Sequence, residues 1–457
     1  MGGFFGRKFA HLRERMWDRL SSDHQAGFLG IGWTTLSQIL SKLIRIGSSL
    51  ILTRLLAPEV YGIMATVMGI LILLDWMSDL GVRTALVRHP HGMEPHYLGT
   101  GWIINFWRSV AVASVVVVTA PAVAAFYEQP ELTAILMVLG MRSICHGLLS
   151  PNIPRLFGEM NFRGLFYLEL IQTVVGTVVS IALAWLAYDP SLERASAWPI
   201  VIGILAGEVA VVLASYWICG RVTRPRWNRD VAKEISGFSR QVLVNTIVMG
   251  LWLNFDQLLG LKVVTPTAMG LYALAMNLAS QAEAVVGKWC EVYFSVLTRG
   301  RAEGERERWH RVMCRRLVRI GMPLMTVGVL IGPLAVRVMY DSRYLEAGLL
   351  LGILMIRVMV RVLSIVQYQY LAAEAKVYLA TRAYVVAFVV QAALFFPMVW
   401  NLDTIGLPLT ALISAVVCAF TQAWFLSREG VAGLGPLGGT VVWMSIAGVL
   451  LWAIGGR

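Results

Sequence analysis

The sequence predicts an all-α polytopic membrane protein, and three observations carry that prediction. Of 457 residues, 57% are hydrophobic and only 14% are charged, with a mean hydropathy of +0.67. At the roughly 25% typical of soluble domains a chain this long would carry about 114 charged residues; it has 39 basic and 27 acidic ones. A soluble chain of this length would also need a charged surface over two or three domains. Second, the apolar residues fall in blocks of about 20, the length of a helix crossing a bilayer core, from near residue 30 to the C-terminus. Third, the blocks are continuous, whereas membrane β-barrels use alternating strands of about 9–11 residues.

Residues 1–29 carry Arg7, Lys8, Arg13, Arg15 and Arg19 without the apolar core of a cleaved signal peptide. The N-terminus is therefore expected in the cytoplasm. Phe9, Leu12, Met16 and Leu20 recur at helical spacing among those cations, which suits an amphipathic helix on an anionic membrane face; a solvated tail is the other reading.

About thirteen spans follow, within a range of 12–14: 30–52, 61–82, 99–120, 131–150, 165–187, 199–219, 238–261, 268–297, 317–339, 345–366, 379–400, 403–425 and 436–455. The eighth is long enough to tilt or to extend beyond the bilayer. Connections 220–240 and 299–316 are rich in Arg, while 121–130 and 188–198 are acidic or nearly neutral. The positive-inside rule puts the first pair on the cytosolic side with the N-terminus and the second pair outside. The net charge of +12 is thus a topology signal, and nucleic acid is not an expected partner.

Sliding the chain against itself reveals a repeat. Arg54, Pro58 and Gly62 after the first span match Lys262, Pro266 and Gly270 after the seventh: cation, three residues, Pro, three residues, Gly. Six spans separate the motifs, an even number, so the halves share one orientation, as in transporters built from parallel repeats. A recurring Pro/Gly turn is the bland alternative. The predicted organisation is a cytosolic segment 1–29, a first lobe 30–219, a basic linker 220–237, a second lobe 238–425 and an appendage 426–457 with one more helix. Two six-helix lobes around a central cavity suit alternating access.

The stretch Leu52 to Gly62, with Asp79-Leu-Gly-Val and Ala85-Leu-Val87 after it and Gly270-Leu-Tyr-Ala273 in the second half, resembles bacterial polysaccharide exporters. These are the Wzx-type lipid-linked oligosaccharide flippases of the MATE-like multidrug/oligosaccharidyl-lipid/polysaccharide superfamily. The resemblance covers spans 1 to 12. It departs at Tyr61, where Phe is usual, and in a chain ending after about thirteen spans where many members have fourteen. It implies a multi-pass protein of the bacterial inner membrane that moves an undecaprenyl-pyrophosphate-linked sugar unit. It also implies membrane lipids as partners, together with a polysaccharide polymerase and glycosyltransferases.

Charges inside the spans point the same way, because each costs roughly 2.5–3.5 kcal/mol at a helix centre and normally faces a wet cavity or a partner. Thr34, Gln38, Ser41, Arg45 and Ser48 make one polar side of span 1, with Lys42 beside it. Asp75, Asp79 and Arg83 follow at i, i+4 steps, where carboxylate and cation pair along one helix. Arg357, Arg361, Ser364 and Tyr368 share a face of span 10, and Asn277, Gln281, Lys288 and Glu291 a face of span 8, with Glu283 off that stripe. Lys42, Arg45, Arg108, Arg142, Arg357 and Arg361 are the candidate contacts for an anionic head group, since guanidinium suits phosphate. Asp75, Asp79, Glu169, Asp256 and Glu283 are candidates for proton or sodium coupling or for gating ion pairs. Structural ion pairing is the competing reading for each.

No catalytic group, metal site or cofactor is indicated. The five cysteines show no paired spacing, His89, His91 and His96 share a polar loop, and no phosphate-binding G-x-x-x-x-G-K-[ST] occurs. An enzyme such as a polymerase would need a sizeable outer loop for its catalytic groups. A cation-coupled multidrug efflux antiporter of the same superfamily remains the alternative, disfavoured by a Lys/Arg-lined cavity.

Overall fold

The computed structural model describes residues 22–78, 81–83, 86, 89, 91–159, 161–187, 196–220, 223–238, 240–299, 305–374, 376–431 and 435–455. Among them there is no strand. The helices in the first half are α1 (Ser22–Leu55), α2 (Pro58–Ser78), α3 (Pro95–Tyr127), α4 (Glu131–Gly147), the short α5 (Ile153–Gly158), α6 (Phe162–Leu186) and α7 (Trp198–Cys219). In the second half come α8 (Arg229–Phe238), α9 (Arg240–Val263), α10 (Pro266–Arg299), α11 (Glu305–Arg316), α12 (Met322–Met339), α13 (Ala347–Ala373), α14 (Val377–Leu402), α15 (Gly406–Arg428) and α16 (Gly435–Gly455).

A helix overlies each expected span. By length and hydropathy together, six stretches of the described residues are able to cross a membrane, one of them the Val377–Arg428 run that holds α14 and α15. The count of about thirteen is therefore approximate. The expected amphipathic segment before residue 22, like Asp79, lies outside the described residues.

Local chemistry explains where the helices begin and end. Pro58, Pro95 and Pro266 open α2, α3 and α10, a position where the missing N–H costs nothing and the fixed φ suits a helix. Glu128 (φ 57) and Gly220 (φ 60) stop α3 and α7 in the left-handed region, a common way to end a helix. At 33 residues, α3 is about 50 Å long by its rise, so it projects past a hydrocarbon core of about 30 Å.

Two expectations are corrected here. The helix of span 2 is described as far as Ser78, and Gly81 (φ 61) breaks the helical path before Arg83. Arg83 therefore does not continue the stripe that begins at Asp75; it lies over the Phe157 ring, 4.8 Å from its centre. The basic connection 299–316 is not simply a loop, because Glu305–Arg316 is helical and joins α12 through a single π-turn at Leu317–Gly321.

The packing pairs recur with an offset of six spans. In the first half α1 packs on α6, α3 on α4, and α7 on both α4 and α6; in the second α9 packs on α14, α12 on α13, and α15 on both α13 and α14. Between the halves, α2 packs on α9 and α10. The two Pro-Gly motifs meet there: a Cβ added to Gly62 would strike the Pro266 carbonyl oxygen, and one on Gly270 the Pro58 carbonyl oxygen. Gly203 and Gly207, a small-residue pair in α7, likewise let α6 approach closely; a Cβ on Gly207 would stand 2.7 Å from the Gln172 carbonyl oxygen, the use such pairs have in membranes.

Burial separates lipid-facing from central helices. α13 has 83% of its apolar window buried, against 22% for α6. It sits among α10, α12, α15 and α16. α6 exposes Val178, Trp185 and Leu186, an apolar surface of the kind that faces lipid rather than water.

Candidate functional site

The charges within the apolar helices gather into two clusters and one seam. The first cluster joins four helices. Arg142 on α4 places Nε 2.9 Å from Glu208 Oε1 on α7 and NH1 3.3 Å from Asp75 Oδ2 on α2. His146, one turn along α4, holds its Nε2 3.4 Å from the other oxygen of Glu208. On α3, Arg108 donates from NH1 to Ser78 Oγ at 2.9 Å and to the Asp75 carbonyl oxygen at 3.4 Å. Arg142, expected as a head-group contact, is thus held between two carboxylates.

The second cluster surrounds α13. Arg361 donates to Glu283 of α10 from Nε at 3.0 Å and from NH2 at 2.5 Å, with its guanidinium 5.2 Å from the centre of the Trp252 ring. One turn earlier, Arg357 is buried and donates to Met276 Sδ at 3.1 Å. Its charge also acts on Asp256 of α9, which is fully buried and accepts from the Tyr272 hydroxyl. The sequence places Arg357 and Arg361 on one polar stripe of a cavity wall. In the structure α13 is covered on nearly all sides, so both sit within packed protein.

The seam between the halves runs along α1. Lys42 donates across it to the Gln281 carbonyl oxygen of α10 at 3.3 Å, while within the first half Ser37 donates to Glu169 Oε2 of α6 at 2.5 Å. Arg45 is exposed and forms no ion pair among the described residues. At the expected outer end the seam is closed. Arg343 NH2 donates to the carbonyl oxygens of Thr53 and Arg54 at 3.2 and 3.4 Å, and Tyr344 donates to that of Leu56 at 3.1 Å. Tyr61 meets Tyr344 edge to face, 6.1 Å between ring centres. Thr267 donates to Glu59 at 2.6 Å, and Lys262 pairs with Glu128 at 2.5 Å. That ammonium holds the Glu128 carboxyl below its usual range.

Repeat residues therefore act at this seam: Arg54 as a carbonyl acceptor, Lys262 as an ion-pair partner, Pro58, Gly62, Pro266 and Gly270 by close approach. Two residues of the first cluster escaped the candidate list. Glu208 is a lone charge in the sequence of α7, with no other charged residue in that helix to mark a face. His146 lies i+4 from Arg142, a spacing that puts both on one helical face and was its available signal. Away from the spans, His89 contacts Glu234 at 2.9 Å and His91 contacts Glu94 at 2.7 Å.

The polysaccharide biosynthesis protein family matches residues 51–349. The chain belongs to that family. This polysaccharide biosynthesis family member is 21% identical over 346 residues to the teichuronic acid biosynthesis protein TuaB of Bacillus subtilis (strain 168), covering 73% of this chain and 68% of TuaB. Its fold is similar to that of a multidrug resistance MATE family transporter of the MOP superfamily in an inward-facing conformation, at TM-score 0.68 and 13% identity over 86% of this chain and 96% of that one. It is equally similar to the lipid II flippase MurJ in an inward closed conformation, at TM-score 0.68 and 9% identity over 93% and 99%. The family member is thus an all-α, multi-pass membrane protein of MATE-like fold.

Proposed function

We propose that this protein translocates an undecaprenyl-pyrophosphate-linked oligosaccharide across the bacterial inner membrane by alternating access, with its N-terminus in the cytosol. Lobes 30–219 and 238–425 rock about the α2–α10 seam, joined by linker 220–237, with 426–457 as an appendage. The observation that carries the reading is the pair Lys42 and Arg45 on α1, two cations within an apolar helix that borders the seam between the halves in a polysaccharide-family chain. In lipid they would cost about 5–7 kcal/mol together. Facing an aqueous cavity they offer charge to a pyrophosphate, with Arg108 next along the first half.

No bond of the cargo is made or broken in this reading. A polysaccharide polymerase and glycosyltransferases would act on either side of the step, and an ion gradient would drive it. The alternative, cation-coupled multidrug efflux, draws support from the likeness to the MATE transporter. The cations weigh against it, because its cargo is typically cationic.

The test is a vesicle flipping assay with a fluorescent undecaprenyl-pyrophosphate oligosaccharide. Lys42→Ala/Arg45→Ala is expected to abolish movement while inserting normally. Unchanged movement by the well-inserted double variant overturns the proposal.

A further inference from the structure

The first charge cluster sets a histidine against a buried carboxylate. Glu208 has a side chain only 3% exposed, yet it presents one oxygen to Arg142 and the other to His146. The His146 side chain is 38% exposed, but its Nε2 is buried and, 3.4 Å from Glu208 Oε2, makes no hydrogen bond of ordinary geometry. Histidine is the side chain whose ordinary titration lies between about pH 5 and 8.

We infer that His146 is a proton-binding site through which pH biases the balance between the two lobe arrangements. The step is a simple protonation. Neutral His146 takes up one proton from water on its unprotonated ring nitrogen, and the resulting imidazolium pairs with Glu208, whose Oε2 lies 3.4 Å from Nε2. No other bond changes. Glu208 on α7 is the charged group that faces the ring; Arg142 and Cys145 on α4 act on the same carboxylate, and Arg142 carries the contact on to Asp75 on α2. Asp75, Glu208 and Arg142, in direct contact, carry one negative charge in excess, which the proton offsets. Arg108 reaches Asp75 only through its backbone oxygen, so it does not close the ion chain. Because α2 bears Asp75 and also packs on α9 and α10, a charge change here is mechanically tied to the seam. Low dielectric strengthens such a change relative to water.

The inference deepens the export reading by naming the coupling ion, and rests on it only for what the proton drives. The test uses the full chain in nanodiscs without cargo. Spin labels replace Trp185 and Trp400, exposed at the ends of α6 and α14, and their separation is measured at about pH 5 and about pH 8. The wild-type distribution is expected to shift between the two. His146→Gln is expected to lose that shift while keeping the wild-type distribution at the higher pH, and Glu208→Gln to lose it as well. His146→Asn supplies a second neutral replacement should Gln disturb the packing. A wild-type chain with no shift, or a His146→Gln chain that shifts like wild type, overturns the proposal. Since no cargo is present, normal flipping by the Lys42/Arg45 variant, together with a wild-type pH shift that His146→Gln loses, removes only the head-group reading.

Discussion

Gly62 and Gly270 pack against each other in reciprocal register. The amide nitrogen of Gly270 would lie 2.9 Å from a Cβ on Gly62, and that of Gly62 3.3 Å from a Cβ on Gly270. Each glycine also receives the carbonyl oxygen of the proline that opens the partner helix. Residues 208 positions apart in the chain thus make one backbone-to-backbone contact between α2 and α10.

Gly62→Val and Gly270→Val are expected to force these helices apart. The obstacle is backbone, which has no rotamer to yield, so the cost should reach or exceed the 1–3 kcal/mol typical of overpacking. Thermal unfolding in detergent measures it. Gly438→Ala, where nothing lies within 4 Å, should leave the melting temperature nearly unchanged.

Tyr344→Phe removes the hydroxyl that bonds the Leu56 carbonyl oxygen. The expected loss is about 0.5–1.5 kcal/mol, taken from the arrangement closed at the outer end. Longer distances between labels at 185 and 400 would report it. An unchanged distribution would mean that Arg343 and the Lys262–Glu128 pair hold the seam without it.

Glu283→Gln strands the Arg361 guanidinium, whose side chain is 11% exposed. Breaking a buried pair from one side typically costs 3–5 kcal/mol, whereas replacing both partners with apolar residues of similar volume is roughly neutral. Arg361→Met/Glu283→Leu should therefore melt well above either single variant. Additive losses in that double-mutant cycle would count against a coupled pair.

His310 gives a pH dependence with a definite sign. It is fully buried on α11 beside Tyr370, ring centres 4.7 Å apart, and burial lowers its pKa to about 4. Between about 6.5 and about 4 the unfolded chain binds a proton that the folded chain does not, so stability is complete above that window and falls as pH drops through it. The linkage amounts to about 3 kcal/mol. His310→Phe should flatten that share of the melting curve against pH, and equal slopes in both proteins would contradict it.

Much of the architecture was legible in the residues themselves. Hydropathy blocks located the helices because a bilayer demands about 20 apolar residues wherever a helix crosses. The Pro58/Gly62 and Pro266/Gly270 spacing pointed to the repeat because close helix entry needs those residue types. The end of α2 was less legible: Gly81 takes a positive φ, and glycine permits that conformation without requiring it.

Composition and periodicity alone determined that this is a helical membrane protein with cations on α1, since the hydrophobic effect and the cost of burying charge act residue by residue. Which charges are partners was decided by the tertiary structure. Arg142 meets Glu208 and Asp75 from 66 and 67 positions away, and Arg361 meets Glu283 from 78. Helical spacing tells which side of its own helix a charge occupies, but an ion pair between helices depends on how their faces are turned toward each other. Only packing sets that rotation, and with it whether a guanidinium is held by protein or offered to cargo.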